Sequence, residues 1–243
     1  MPFFSFYYGF DWSYLLLIPC LILSIWASFR VNSTFMRYSG QISARRITGA
    51  QAAERVLHSN GVQNVRIEHI SGNLTDHYDP RTNVIRLSDS VYDSSSTAAI
   101  GVACHEAGHA IQYAQRYAPI KLRAAIIPVT NFGSKIALPL ILIGLLFSSS
   151  SGISSGLVYL GIACFSLSLF FQLITLPVEF NASRRALQAI NQSNLLTDEE
   201  LKGAQKVLSA AALTYVAAAA VSLAQLLRLI LLFGGRSSRN NRR

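Results

Sequence analysis

Residues 105–109 read His-Glu-Ala-Gly-His, in a stretch whose composition predicts a helix. Side chains four residues apart lie on the same face of a helix, so the imidazoles of His105 and His109 can hold one tetrahedral metal ion such as Zn²⁺. Glu106 lies about 100° farther round the helix, where a carboxylate can take a proton from a metal-activated water and pass it to a leaving amine. The alternative is a stacked pair of surface histidines that binds no metal. Small neighbouring residues favour the metal site, because they let other backbone or substrate approach the helix: Ala103, Ala107, Gly108 and Ala110.

A catalytic zinc ion usually has three protein ligands and one position open to water. We predict Glu179 as the third ligand and one Zn²⁺ per chain. Glu179 follows Pro177 at the end of an apolar stretch, where an unpaired carboxylate next to lipid would be costly and metal binding would remove that cost. The alternative is an ion pair of Glu179 with Arg184 or Arg185 at the membrane surface.

The composition places these residues in a membrane protein. The chain has 243 residues, of which 51% are hydrophobic and 14% charged, against about 25% charged in average soluble domains. Three cysteines and a high apolar content exclude a disulfide-stapled module and a disordered chain. The net charge of +9 comes from basic residues that are spread along the chain with little aromatic interleaving. That pattern fits the flanks of membrane spans and argues against a nucleic-acid partner.

Four apolar stretches are long enough, or nearly so, to cross a bilayer as helices. We place them at about residues 12–29, 126–147, 153–177 and 207–233, with polar segments at about 30–125 and 178–206 between them. The first could be a cleaved signal peptide, but Lys and Arg are missing ahead of it and Asp11 stands in their place, so we favour an uncleaved anchor. Lys135 and Arg228 lie inside spans, and Arg228 makes the fourth the least secure.

The distribution of basic residues predicts the orientation. Twelve of the 21 lie between Arg30 and Lys135, and four more lie between Arg184 and Lys206. The positive-inside rule therefore places both polar segments in the cytoplasm. The arginines of the C-terminal tail do not fit this orientation, since four spans would place them on the outer side of the membrane.

The first polar segment predicts a helix, a hairpin and a long helix. Thr48 and Gln51 form a capping-box sequence, and Asn60-Gly61 ends that helix. Residues 62–70 and 84–87 read as the two strands of the hairpin, with a turn at 79–83. The long helix starts after residues 94–96 and runs to Tyr117.

His77 and Asp76 precede the turn of the predicted hairpin, where they can flank a cleft. His77 can donate to a developing oxyanion, and we name it with Glu106 as a candidate catalytic residue. Asp76 can orient a metal-binding histidine. The alternative for both residues is an Asx-type turn in which His77 is packed or solvated.

Three stretches carry a family resemblance: Leu74 to Pro80, the motif from His105 to Gln112, and Val178 to Ala186. With them the chain resembles the YugP-type bacterial membrane zinc metallopeptidases and, more distantly, the HtpX-type and CAAX-type membrane proteases. The resemblance implies a mainly α, integral-membrane fold with a zincin-like (gluzincin) helix-hairpin-helix core, with residues 1–243 forming a single membrane metallopeptidase domain. It also implies zinc on His105, His109 and Glu179, with Glu106 as general base. Ser183 departs from the HtpX-type pattern, which has Asp there.

The expected function is that of a zinc-dependent endopeptidase in the cell membrane, multi-pass, with its active site facing the cytoplasm. We expect its substrates to be peptide segments of membrane proteins. The sequence leaves open whether a regulatory membrane partner binds it. The substrate would pair with a strand edge, at residues 84–87 or 65–70. The alternative is a zinc-bound membrane scaffold or partner-binding protein with little or no peptidase turnover.

Overall fold

The computed structural model describes residues 12–147 and 152–233, which are mainly helical. A short 3₁₀ helix, Trp12–Leu16, leads into the first helix. Within the described residues the α-helices are α1 (Ile18–Ser39), α2 (Gly49–Ser59), α3 (Thr97–Ala114), α4 (Ala118–Leu146), α5 (Gly152–Gln192) and α6 (Asp198–Phe233). Three short strands lie between α2 and α3: β1 (Arg66–Ile70), β2 (His77–Asp79) and β3 (Val84–Ser88).

Within the described residues, four helices are long and apolar enough to cross a membrane, and they correspond to the four predicted apolar stretches. The candidate spans are Trp12–Ser39, Ala118–Leu146, Ser154–Gln192 and Asp198–Phe233. Each helix extends beyond the apolar stretch that predicts it, and α5 continues through Pro177 for fifteen residues. Large apolar side chains are exposed along these helices, as contact with lipid requires: Leu21, Ile22, Phe132, Leu138, Leu146, Phe170 and Leu231.

The chain divides into two compact units. The described part of the first unit comprises residues 12–26, 123–147, 152–174 and 216–233, and holds most of the apolar stretches. Here Arg228 is buried: its Nε donates to the Ser13 hydroxyl at 3.0 Å, and its guanidinium lies 3.9 Å from the centre of the Tyr14 ring. These polar and cation–π contacts explain how the fourth apolar helix accommodates an arginine. Lys135 is exposed, so it does not face packed protein.

The second unit comprises residues 27–122 and 175–215 and holds the strands, α2, α3 and the candidate site residues. The predicted capping box is present, because the Thr48 hydroxyl accepts from the Gln51 N–H and the Gln51 side chain accepts from the Thr48 N–H. Helices α2 and α3 and strand β3 contribute the fully buried apolar side chains of the core: Val56, Leu57, Ile85, Leu87, Ile100 and Ile111.

The sheet differs from the predicted hairpin. Its strand order is β1-β3-β2, with β1 parallel to β3 and β2 antiparallel to it. The hairpin is therefore formed by β2 and β3 across the turn at residues 79–83, and the prediction that residues 62–70 form its first strand is wrong. Strand β3 has a partner on both sides, so residues 84–87 cannot offer a free edge to a substrate. The free edges of the described sheet belong to β1 and β2.

Candidate metal centre

Helix α3 begins at a well-formed cap and is almost entirely buried. The Ser96 hydroxyl accepts from the Ala99 N–H and so satisfies one donor of the first turn. Small residues let neighbouring backbone come close: a Cβ placed on Gly108 would lie 2.6 Å from the carbonyl oxygen of Ala182 in α5. The second histidine of the motif therefore follows a glycine that lies directly against the helix that carries Glu179.

The structure brings the side chains of His105, His109 and Glu179 together. Oε2 of Glu179 lies 3.3 Å from Nε2 of His105 and 3.5 Å from Nε2 of His109. One potential ligand atom from each of the three residues lies within 4.8 Å of the others. The two imidazole rings meet nearly edge to face, with centroids 4.8 Å apart. Glu179 is only 3% exposed, so its carboxylate faces the histidines rather than solvent.

These distances fit a tetrahedral ion. Zinc binds histidine nitrogen and carboxylate oxygen at about 2.0–2.2 Å, and two tetrahedral ligand atoms at that radius are about 3.3–3.6 Å apart. The separations of the Glu179 oxygen from the two imidazole nitrogens, 3.3 and 3.5 Å, both fall in this range. Two nitrogens and one oxygen leave a fourth position for water, which is the donor set of catalytic zinc sites. The three residues are therefore a candidate zinc site.

Both histidines are held through the ring nitrogen that points away from Glu179. Nδ1 of His105 lies 3.1 Å from the Ser183 hydroxyl, and Nδ1 of His109 lies 3.0 Å from Oε1 of Gln112. Each contact lets Nδ1–H donate, which leaves Nε2 of the neutral ring unprotonated and able to bind a metal. Ser183 thus supplies a neutral acceptor at the position where the HtpX-type pattern has a carboxylate.

Gln112 is the residue of this site that the sequence analysis did not single out. It is fully buried, and besides holding His109 its Nε2 donates to the Val178 carbonyl oxygen at 2.8 Å and to Oδ1 of Asn181 at 3.0 Å. One side chain therefore links the metal-site face of α3 to the turn of α5 that carries Glu179. Its position three residues after His109, on the same helical face, was the available sequence signal.

The carboxylates near His109 favour its protonated form. Burial disfavours the charged imidazolium, but the hydrogen bond and charge of Glu179, together with the charge of Glu106, outweigh it and raise the pKa of His109. Glu106 lies on α3 and is 8% exposed. A carboxylate in this position is shielded from bulk water and acts electrostatically on a metal-site histidine.

The alternative surface ion pair of Glu179 with Arg185 does not form. Arg185 donates from Nε to Oδ1 of Asn181 at 2.6 Å and from Nη1 to Oε1 of Gln115, and its guanidinium lies 5.7 Å from the centre of the Tyr117 ring. Arg184 is exposed, whereas Glu179 is buried.

The hydrogen bonds of His77 and Asp76 go to residues other than His105, His109 and Glu179. His77 is exposed on β2, and its Nδ1 lies 2.9 Å from the Thr75 carbonyl oxygen. Asp76 accepts from the backbone N–H of Ser88 at 2.7 Å and from the Ser88 hydroxyl. The hypothesis that Asp76 orients a metal-binding histidine is wrong, because Ser183 and Gln112 hold the two rings. Burial raises the pKa of Asp76, although hydrogen bonds from Ser88 oppose the shift.

Comparison with known proteins identifies the family. The family model described as "Putative neutral zinc metallopeptidase" matches residues 13–234. The chain belongs to this family. It is also 50% identical over 218 residues to the "Putative membrane protease YugP" of Bacillus subtilis (strain 168), an alignment that covers 90% of this chain and 95% of that protein. No solved structure matches the chain. The resemblance that the sequence motifs indicate is therefore confirmed, and membership of a zinc metallopeptidase family agrees with the donor set at His105, His109 and Glu179.

Proposed function

We propose that this protein is an integral-membrane, zinc-dependent endopeptidase that hydrolyses peptide bonds of membrane or membrane-proximal proteins. The observation that carries the proposal is the convergence of two imidazole nitrogens and one buried carboxylate oxygen, with the oxygen at tetrahedral separations from both nitrogens. A second buried carboxylate, that of Glu106, lies on the helix that carries both histidines. Family membership and the membrane-protease relative support the same reaction class.

In this proposal His105, His109 and Glu179 hold one Zn²⁺. When bound, the ion would supply Lewis acidity, which makes a water molecule nucleophilic near neutral pH and polarises a peptide carbonyl. Ser183 and Gln112 keep each imidazole in the tautomer and orientation that binding requires. The three ligands are the helix-borne HExxH pair and a distant glutamate, which is the gluzincin arrangement.

Glu106 is the proposed general base and acid. Its carboxylate takes a proton from the attacking water and then delivers it to the nitrogen of the departing amine, so that one group serves both halves of hydrolysis. Burial of Glu106 supports this role, because exclusion of bulk water keeps the transferred proton from being lost to solvent.

His77 is the proposed donor to the oxyanion. Its Nδ1 lies next to the Thr75 carbonyl oxygen, so in the neutral ring Nδ1–H donates there and Nε2 carries no proton. Nε2 of His77 can therefore donate to an oxyanion only when the ring is the imidazolium.

The strand edge proposed for substrate binding is that of β2. Strand β3 is paired on both sides, and β2 is the edge strand that packs against α3, where the Tyr78 and Tyr113 rings lie 5.6 Å apart. An extended peptide can pair with the free backbone groups of an edge strand, which presents its carbonyl groups in register. The four apolar helices and the basic residues of the polar segments support a multi-pass protein in one membrane domain, with this site on the cytoplasmic side.

Replacement of Glu106 by Gln tests the proposed reaction. The amide keeps the shape of the side chain but cannot act as a base, so purified Glu106→Gln should retain zinc and lose cleavage of an unfolded membrane-protein substrate by at least about 100-fold. Glu54→Gln, on the exposed face of α2, is the matched control and should cleave normally. Undiminished cleavage by Glu106→Gln would refute the base assignment. A wild-type protein that binds zinc but cleaves nothing would favour the scaffold alternative.

A further inference from the structure

A cavity whose lining differs in chemistry from the metal centre lies in the same unit. It has a volume of about 380 Å³ and is lined by Arg30 of α1 and by Lys202 and Lys206 of α6. This volume is within the usual range of small-ligand sites, about 300–1,000 Å³. No acidic side chain lines the cavity, so three cations face one space without a counter-charge.

The cations are available for a ligand. Within the described residues the side chains of Arg30, Lys202 and Lys206 form no ion pair, even though Asp198 precedes Lys202 by four residues on α6, a spacing that usually favours pairing. Lys202 and Lys206 are themselves four residues apart, where like charges repel on a helix. An anion between them and Arg30 would remove this repulsion.

The rest of the lining becomes apolar along α6. Beside the lysines stand the amide of Gln205 and the hydroxyl of Ser209, both able to donate hydrogen bonds, and next along the helix come Ala210 and Leu213. The lining therefore presents cations and donors at one end and an apolar surface at the other. That sequence of groups matches the phosphate, glycerol and acyl regions of a phospholipid.

The positions of the cations along the chain agree with this ligand. Arg30 directly follows the apolar residues 12–29, and Lys206 directly precedes the apolar residues 207–233. The end of an apolar stretch is where a membrane helix is expected to leave the hydrocarbon and reach the headgroups. Basic pockets at this level are the usual sites for anionic lipid headgroups.

We propose that the cavity between Arg30, Lys202 and Lys206 binds the headgroup phosphate of an anionic membrane phospholipid, whose acyl chains follow α6 past Leu213. The site is separate from the metal centre, and the proposal does not depend on peptidase activity. A bound lipid would link α1 to α6 in the unit that holds the metal centre.

The test uses the purified full-length chain in a neutral detergent, titrated with phosphatidylglycerol or phosphatidylcholine, with bound lipid counted by native mass spectrometry. Phosphatidylglycerol should bind more tightly, and Arg30→Gln with Lys202→Gln and Lys206→Gln should weaken it by about fivefold for each cation removed, the equivalent of roughly 1 kcal/mol per basic residue near an anionic surface. Should the triple variant not fold, Lys206→Gln alone should give the single fivefold step.

A matched variant separates the cavity from general charge. Arg45→Gln with Arg55→Gln and Lys121→Gln removes the same charge from exposed side chains outside the cavity, and it should bind phosphatidylglycerol normally. An equal loss in this control would overturn the proposal, as would equal binding of phosphatidylcholine. If inorganic phosphate binds as tightly as the lipid does, the proposal is also overturned, because the ligand would then be a free anion. Zinc content should be the same in all variants.

Discussion

Replacement of Gly108 by Ala perturbs the metal centre without touching a ligand. The new Cβ would lie 2.6 Å from the Ala182 carbonyl oxygen, where 3.4 Å or more is ordinary contact, so α3 and α5 must separate by about 0.8 Å. The obstructing atoms are backbone, which cannot rotate away. Because α3 carries His105 and His109 and α5 carries Glu179, this separation acts directly on the ligand distances.

Two effects set the expected magnitude. Overpacking of a tight contact costs about 1–3 kcal/mol, while Ala is favoured over Gly within a helix by about 1 kcal/mol. The free energy of unfolding should therefore fall by about 0–2 kcal/mol. The separations of 3.3 and 3.5 Å from the Glu179 oxygen to the imidazole nitrogens are already near the tetrahedral distance. A further 0.8 Å would break that geometry, and zinc affinity should fall by at least about tenfold.

Gly101→Ala on the same helix is the matched control. Its Cβ would meet the Ala204 Cβ at 3.3 Å, only slightly closer than ordinary contact and against a side chain. This variant should keep zinc affinity and gain up to about 1 kcal/mol from helix propensity. The assays are zinc competition against a fluorescent chelator and thermal unfolding followed by circular dichroism, both on purified protein in detergent. Wild-type zinc affinity in Gly108→Ala would refute the claim that close approach of α3 to α5 builds the site.

Substitutions at three further residues test individual contacts. Gln112→Met keeps the volume but removes the acceptor of a metal-site histidine, so zinc affinity in the chelator assay should fall about 10–100-fold; an unchanged affinity would contradict its orienting role. Ser183→Asp should strengthen zinc binding about tenfold through a charged acceptor for His105, whereas Ser183→Asn should not. Because burial raises the pKa of Asp76, the folded state holds its proton more firmly than the unfolded state, and stability falls as pH rises from the ordinary value near 3.8 towards the raised value. The melting temperature of wild type relative to Asp76→Asn should decline over that range, and a rise would contradict the sign.

The parts of the molecule that sequence predicted rest on local or strongly constrained chemistry. The capping box of Thr48 and Gln51 needs only four consecutive residues. The histidines of the motif lie on one face of any helix that contains them. Glu179 was predictable because a carboxylate at the end of an apolar stretch needs a compensating partner.

The features that the sequence did not predict depend on contacts between residues that are distant along the chain. Strand β2 has three residues, too few to show a period, and the parallel pairing of β1 with β3 leaves no local signal. Helix α5 continues through Pro177, where a boundary was expected, because proline is tolerated inside membrane helices whose neighbours satisfy the freed backbone groups. The spacing of Gln112 from His109 was a local signal, but nothing in the sequence indicated its contacts with the distant residues Val178 and Asn181.

The central claim is that His105, His109 and Glu179 together bind one ion. Zinc content of the purified full-length protein, measured by mass spectrometry of the metal beside Glu179→Gln and the exposed control Glu54→Gln, tests it most directly. The claim predicts about one zinc per chain in the wild type and in Glu54→Gln, and little zinc in Glu179→Gln. Equal zinc in Glu179→Gln and the wild type would contradict it.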